Sequence, residues 1–105
     1  MPRNITPPRV KKSAPDDLTV IPGIGKSLAK DLRLLGFEHV AGLKDADPME
    51  MYRRLCEITG ARQDPCVLYV FRCAVYFASE PAHDPELLKW WNWKGKIYRT
   101  ERAEL

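Results

Sequence analysis

The sequence predicts an all-α fold, a compact bundle of about five helices, on three observations. Apolar residues recur at helical spacing, as in Leu28, Leu32 and Leu35 and again in Met51, Leu55 and Ile58. Asp47-Pro48, Asp64-Pro65 and Asp84-Pro85 each place a capping side chain before a proline suited to the first helical position. The most apolar stretch, residues 65–79, is interrupted between Val67 and Ala78 only by Arg72 and has the length of a buried core helix. With 105 residues and 45% apolar content, the chain suffices for one modest core and not for two.

Residues 1–15 carry Pro2, Pro7, Pro8 and Pro15 with Arg3, Arg9, Lys11, Lys12 and no acid, and read as a flexible basic arm. A first short helix is expected to start between Ser13 and Asp16 and to end at Val20, with Asp16 and Asp17 suited to its dipole. The stretch Ile21-Pro22-Gly23-Ile24-Gly25-Lys26-Ser27 then breaks it. Pro22 cannot continue a helix, whereas Gly23 and Gly25 can take positive φ or admit another backbone or a phosphate at close range. This reads as a hairpin between helices, with Ile24 plugged into the core. The amides that follow face outward at a helix start, where the dipole favours an anion and phosphate is the usual one.

A helix over residues 27–35, closed by Gly36, puts Leu28, Leu32 and Leu35 on one face and Lys26, Lys30 and Arg33 in a narrow arc on the other. Those cations suit a phosphate at the hairpin and its neighbours along a strand, although a solvated helix face also carries lysines. Phe37, Val40 and Leu43 tie down a connection, and a short helix near residues 41–46 leads to Asp47. The next helix, residues 48–60, turns Met51, Leu55 and Ile58 inward, with a capping box between Asp47 and Glu50. Residues 36–60 resemble a second hairpin unit without the glycine pair, and no phosphate is assigned to it. The helix over residues 65–79 is expected at the centre, with a carboxylate partner for Arg72. Either its neighbours cover it or part of it meets a second copy, and its apolar surplus favours a homodimer. A last helix over residues 85–93 turns Leu87, Leu88 and Trp91 inward. The tryptophans of Lys89-Trp90-Trp91-Asn92-Trp93-Lys94 are expected mainly to close the core, with stacking on unpaired bases the alternative. After Gly95 no period is legible, so the chain divides into the arm 1–15, a helical domain 16–95 and a polar tail 96–105.

From Leu18 to Leu32 the chain resembles the helix-hairpin-helix motif, through Ile21-Pro22-Gly23-Ile24-Gly25-Lys26-Ser27-Leu28-Ala29. Leu35-Gly36-Phe37, Val40 with Leu43, Asp47-Pro48, Leu55-Cys56, the run from Cys66 to Tyr76 and Leu88-Lys89-Trp90-Trp91-Asn92-Trp93-Lys94 extend the likeness. Together they resemble the small bacterial pathogenicity locus family, whose members are sometimes labelled mitomycin-resistance proteins. The resemblance implies a SAM-like, tandem-hairpin architecture, a hairpin that grips DNA phosphate without reading bases, and a link to DNA repair or damage resistance. With the basic helix face, the candidate site residues are Gly23, Ile24, Gly25, Lys26, Ser27, Lys30 and Arg33.

Charge sharpens this expectation. The net charge is +3, but the arm holds four of the basic residues and the rest is close to neutral. The body therefore has no field to attract DNA, so binding must come from a local feature with help from the arm. Cys56, Cys66 and Cys73 with His39 or His83 lack metal-ligand spacing, and neither a metal nor another cofactor is expected. Gly23-Ile24-Gly25-Lys26-Ser27 lacks the insert of a phosphate-binding loop of the nucleotide-hydrolase type, and no catalytic constellation is legible. No apolar run reaches a membrane span and the polar N-terminus is unlike a signal peptide, so a cytoplasmic protein is expected. The sequence reading is a non-enzymatic, sequence-independent binder of the DNA backbone. The alternative is a protein-interaction or self-association module whose hairpin is only a turn.

Overall fold

A computed structural model describes residues 18–101. The arm 1–15 and the start of the first helix lie outside these residues. The fold is all-helical, with no strand among the described residues. Instead of about five helices, the described residues form three α-helices, α1 (Lys26–Leu34), α2 (Pro48–Thr59) and α3 (Pro65–Ser79). Among the described residues four 3-10 turns accompany them, at Leu18–Val20, Val40–Leu43, Pro85–Leu88 and Trp90–Trp93. Segments of three or four residues between fixed anchors gain more from the tighter i to i+3 bond than from an α-turn they cannot propagate.

The Asp-Pro pairs start their elements as expected. Asp47 Oδ1 accepts from the amides of Met49 and Glu50 at 3.0 and 3.2 Å, Asp64 Oδ1 from Cys66 at 2.8 Å, and Asp84 Oδ1 from Glu86 at 2.9 Å. At α2 and α3 the result is a helix, whereas at Asp84 it is a 3-10 turn. Gly60, at φ +70°, closes α2 in the left-handed region.

The core forms around α3, whose Leu68 and residues 70–76 are all buried, Arg72 included. α2 and the turns at Val40–Leu43, Pro85–Leu88 and Trp90–Trp93 pack on it, and α1 is joined through α2. The chain thus covers most of its own apolar surplus, with Val67, Tyr69, Phe77 and Ala78 half-buried. Met51 and Leu55 face inward as expected, but Ile58 is exposed, because the last turn of α2 and residues 57–62 run out past the core. No helix among the described residues is long and apolar enough to cross a membrane.

The expected last helix is replaced by two 3-10 turns, and the break lies at Lys89, which is extended at φ −90° and ψ 110°. Residues i and i+3 of a 3-10 turn eclipse, so Trp90 and Trp93 face the core together and Trp91 is left outside. Trp93 packs on Tyr76 and Tyr98, and its Nε1 donates to the Leu87 carbonyl at 2.8 Å. Residues 96–101, which show no period, fold back on the domain. Tyr98 is buried, and Glu101 supplies the carboxylate for Arg72, whose Nε and Nη2 donate to it at 2.7 and 3.1 Å. Arg72 Nη1 also donates to the Trp93 carbonyl at 3.0 Å. Thr100 Oγ1 donates to the Ala46 carbonyl, and Arg99 bridges Asp45 and Glu80 at 3.0 and 3.3 Å.

Candidate nucleic-acid interface

The residues of the turn before α1, expected to form a hairpin, follow from backbone requirements. The turn at Leu18–Val20 is closed by the Ile21 amide on the Leu18 carbonyl, and the Ile24 amide then donates to Ile21 at 3.0 Å. Gly23 sits at φ +87°, which only glycine adopts without strain, and this reverses the chain so that Ile24 drops into the core at 4% exposure. Ile24 is the expected plug. The first helical arm of the hairpin amounts, within the described residues, to a single 3-10 turn.

Gly25 is the N-cap of α1, and its φ of −94° lies in ordinary extended space. Of the two expected uses of this glycine, positive φ is not the one taken, which leaves close approach of another group. A Cβ built on Gly25 meets no atom within 4 Å, so neither conformation nor internal packing requires glycine there. No side chain caps α1, and the amides of Gly25, Lys26, Ser27 and Leu28 have no acceptor among the described residues. Leu28 was not among the residues expected at the site. Its amide belongs there because a helix start exposes four donors, a signal available from the helix boundary alone.

Gly23, Gly25, Lys26, Ser27, Lys30 and Arg33 are exposed, whereas Ile24 can offer only backbone. Lys26, Lys30 and Arg33 share the outer face of α1, opposite buried Ala29 and Leu32, and form no ion pair with a described residue. Asp31 interrupts this basic surface beside Lys30, and partial burial raises its carboxyl above the ordinary range.

The turn before α2 repeats this geometry at a constant offset. Asp45 takes the place of Gly23, also at positive φ (+59°), and the Ala46 amide donates to Leu43 at 3.0 Å as Ile24 does to Ile21. Asp47 replaces Gly25 as N-cap, and Pro48 replaces Lys26 as the first helical residue. The two copies differ in what meets the helix start. The Asp47 carboxylate takes the amides of Met49 and Glu50, the counterparts of Ser27 and Leu28. Arg99 and Thr100 cover the second turn further, on Asp45 and Ala46. At the first turn Trp90 arrives from among the described residues, its Cδ1 3.0 Å from where a Gly23 Cβ would lie.

Cys73 and His83 serve packing. Cys73 Sγ lies 3.5 Å from the Leu88 carbonyl, and burial pushes its thiol up to about 11, which keeps it protonated and poorly nucleophilic. Cys66 is exposed, its thiol raised by a hydrogen bond to Asp64. His83 stacks on Phe77 at 4.9 Å and donates through Nε2 to the Phe77 carbonyl at 2.8 Å.

A model of the family described as pathogenicity locus matches residues 11–98. The chain belongs to the pathogenicity locus family. It is also 34% identical over 89 residues to a mitomycin resistance protein, McrB, of Streptomyces lavendulae, covering 85% of this chain and 76% of that protein. No solved structure matches it. The matched span of this pathogenicity locus protein takes in both turns, all three α-helices, the tryptophan segment and Tyr98.

Proposed function

We propose that this protein binds the DNA backbone, without catalysis and without regard to sequence, through the turn at residues 21–28. The observation that carries the reading is the contrast between the two turns. At α2 the amides of a helix start hold an anion supplied by the chain, the Asp47 carboxylate. At α1 the equivalent amides follow a glycine with open space before it, and Lys26, Lys30 and Arg33 line the adjoining face. A backbone phosphate satisfies both features, since it accepts from several amides at once and interacts favourably with the dipole and with lysine. Likeness to the hairpin of helix-hairpin-helix proteins supports the same ligand. Likeness to a mitomycin resistance protein supports a role in tolerating DNA damage.

The test is Gly25→Asp, which gives the first turn the cap of the second. Stability should stay level or rise by up to about 1 kcal/mol, because the new carboxylate caps α1 and the unfolded chain loses freedom. DNA binding should be lost, because the same carboxylate occupies the amides and repels phosphate. A Gly25→Asp protein that binds a short duplex as the wild type does would remove the hairpin from the interface. Wild-type protein that binds no form of DNA at low salt would make the interaction module the better reading.

A further inference from the structure

Trp91 is 56% exposed, although its neighbours Trp90 and Trp93 are turned to the core. An indole so open on a small domain carries a hydration cost that packing does not explain, and its place in the fold suggests what relieves it. Trp90 touches Gly23 of the hairpin on one side and meets Trp91 edge to face on the other, with ring centroids 5.6 Å apart and planes at 86°. Among the described residues, Trp90 therefore links Trp91 to the hairpin. The surrounding segment, residues 89–99, carries Lys89, Lys94, Lys96 and Arg99 and no acid, and Lys94 and Lys96 are exposed. Glu86, the nearest acid by sequence, is held by Lys89 at 3.0 Å and by Asn92.

We infer that Trp91 stacks on an unpaired base of the strand whose phosphate the hairpin holds, so that the preferred ligand is DNA with a gap, flap or single-stranded stretch. The inference rests on the hairpin reading above. At about 3.4 Å per stacked nucleotide, a strand anchored at the hairpin reaches Trp91 within a few residues. In an intact duplex every base is paired and stacked, so Trp91 has nothing to receive. Stacking on an aromatic ring is tolerant of base identity, which agrees with a backbone grip that reads no sequence.

The experiment compares wild type, Trp91→Ala, Trp91→Phe and Gly25→Asp on a labelled intact duplex, the same duplex with a one-nucleotide gap, and an oligothymidylate. Wild type should favour the gapped duplex and the oligothymidylate over the intact duplex by about ten-fold, within the range that one stacked base confers. Trp91→Ala should bring that ratio close to one, Trp91→Phe should restore most of it, and Gly25→Asp should weaken binding to all three. A Trp91→Ala protein that keeps the wild-type ratio, or a wild type without preference, overturns the inference and leaves the hairpin standing. Wild-type protein that binds none of the three overturns both.

Discussion

Arg72 and Glu101 show what one buried charge demands of a small core. Their side chains are 7% and 3% exposed, and a guanidinium so enclosed is tolerable only because carboxylate and Trp93 carbonyl take three of its donors. Glu101→Ala should therefore cost about 3 kcal/mol in denaturant unfolding, most of it from stranding Arg72. The double change Arg72→Met with Glu101→Leu should recover much of that loss, and a double variant no more stable than Glu101→Ala would show that the pair does not act as a unit. Asp64 carries a milder effect. The Cys66 amide and thiol hold its carboxyl below the ordinary range, so its stabilisation is present above the usual carboxylate pKa and fades as pH falls through the depressed value. Asp64→Asn should flatten the acid side of the stability profile, read from thermal unfolding across that range. Sequence foretold that Arg72 needed a carboxylate but not which one, because Glu101 lies in a stretch without period and 29 residues away.

Among the elements, those whose signals are local were legible and those set by tertiary contact were not. Asp47 and Asp64 announce α2 and α3 through capping and proline geometry that act within one turn. The last segment has the same signal at Asp84, and Leu87, Leu88 and Trp91 match a helical period, yet Lys89 is extended and Trp91 faces solvent. No glycine or proline marks Lys89. The break comes from fitting Trp90 on Gly23 and Trp93 on Tyr76 at once, which no local propensity encodes. At the first turn, the positive φ of Gly23 and the burial of Ile24 could be read from the sequence, while Gly25 takes no positive φ and keeps only the other use expected of it, close approach. Comparison of the two helix starts yields a further prediction. Asp47→Ala should destabilise by about 1 kcal/mol, as loss of an N-cap does, and leave DNA affinity unchanged in the titrations that test Gly25→Asp. If Asp47→Ala also lost binding, the second turn would belong to the interface.

At the scale of the molecule, the proposed grip on one phosphate, set on a near-neutral body with a short basic stripe, predicts weak DNA binding and the release of few counterions. Log affinity should fall against log salt with a slope of about −2 to −4, and Lys26→Ala should make it shallower by about one. A steeper slope would mean that a larger basic surface is engaged, with the arm at residues 1–15 the first place to look. Of the apolar stretch 67–78 that suggested a homodimer, Leu68 and residues 70–76 are buried within the single chain, while Val67, Tyr69, Phe77 and Ala78 are half-buried, so sedimentation at tens of micromolar remains the test of assembly.

The fold-back of residues 98–101 has a kinetic consequence. Thr100 reaches Ala46 and Arg99 reaches Asp45 across 54 residues, whereas the two turn-and-helix units and α3 are built from neighbours in sequence. Closing the longer loops costs more entropy before any contact compensates it, so the early nucleus should be α2 with α3 and the tryptophan segment should dock late. Trp90 would settle on Gly23 only in the last step of refolding, and the surface proposed to meet DNA would be the last part of the molecule to exist.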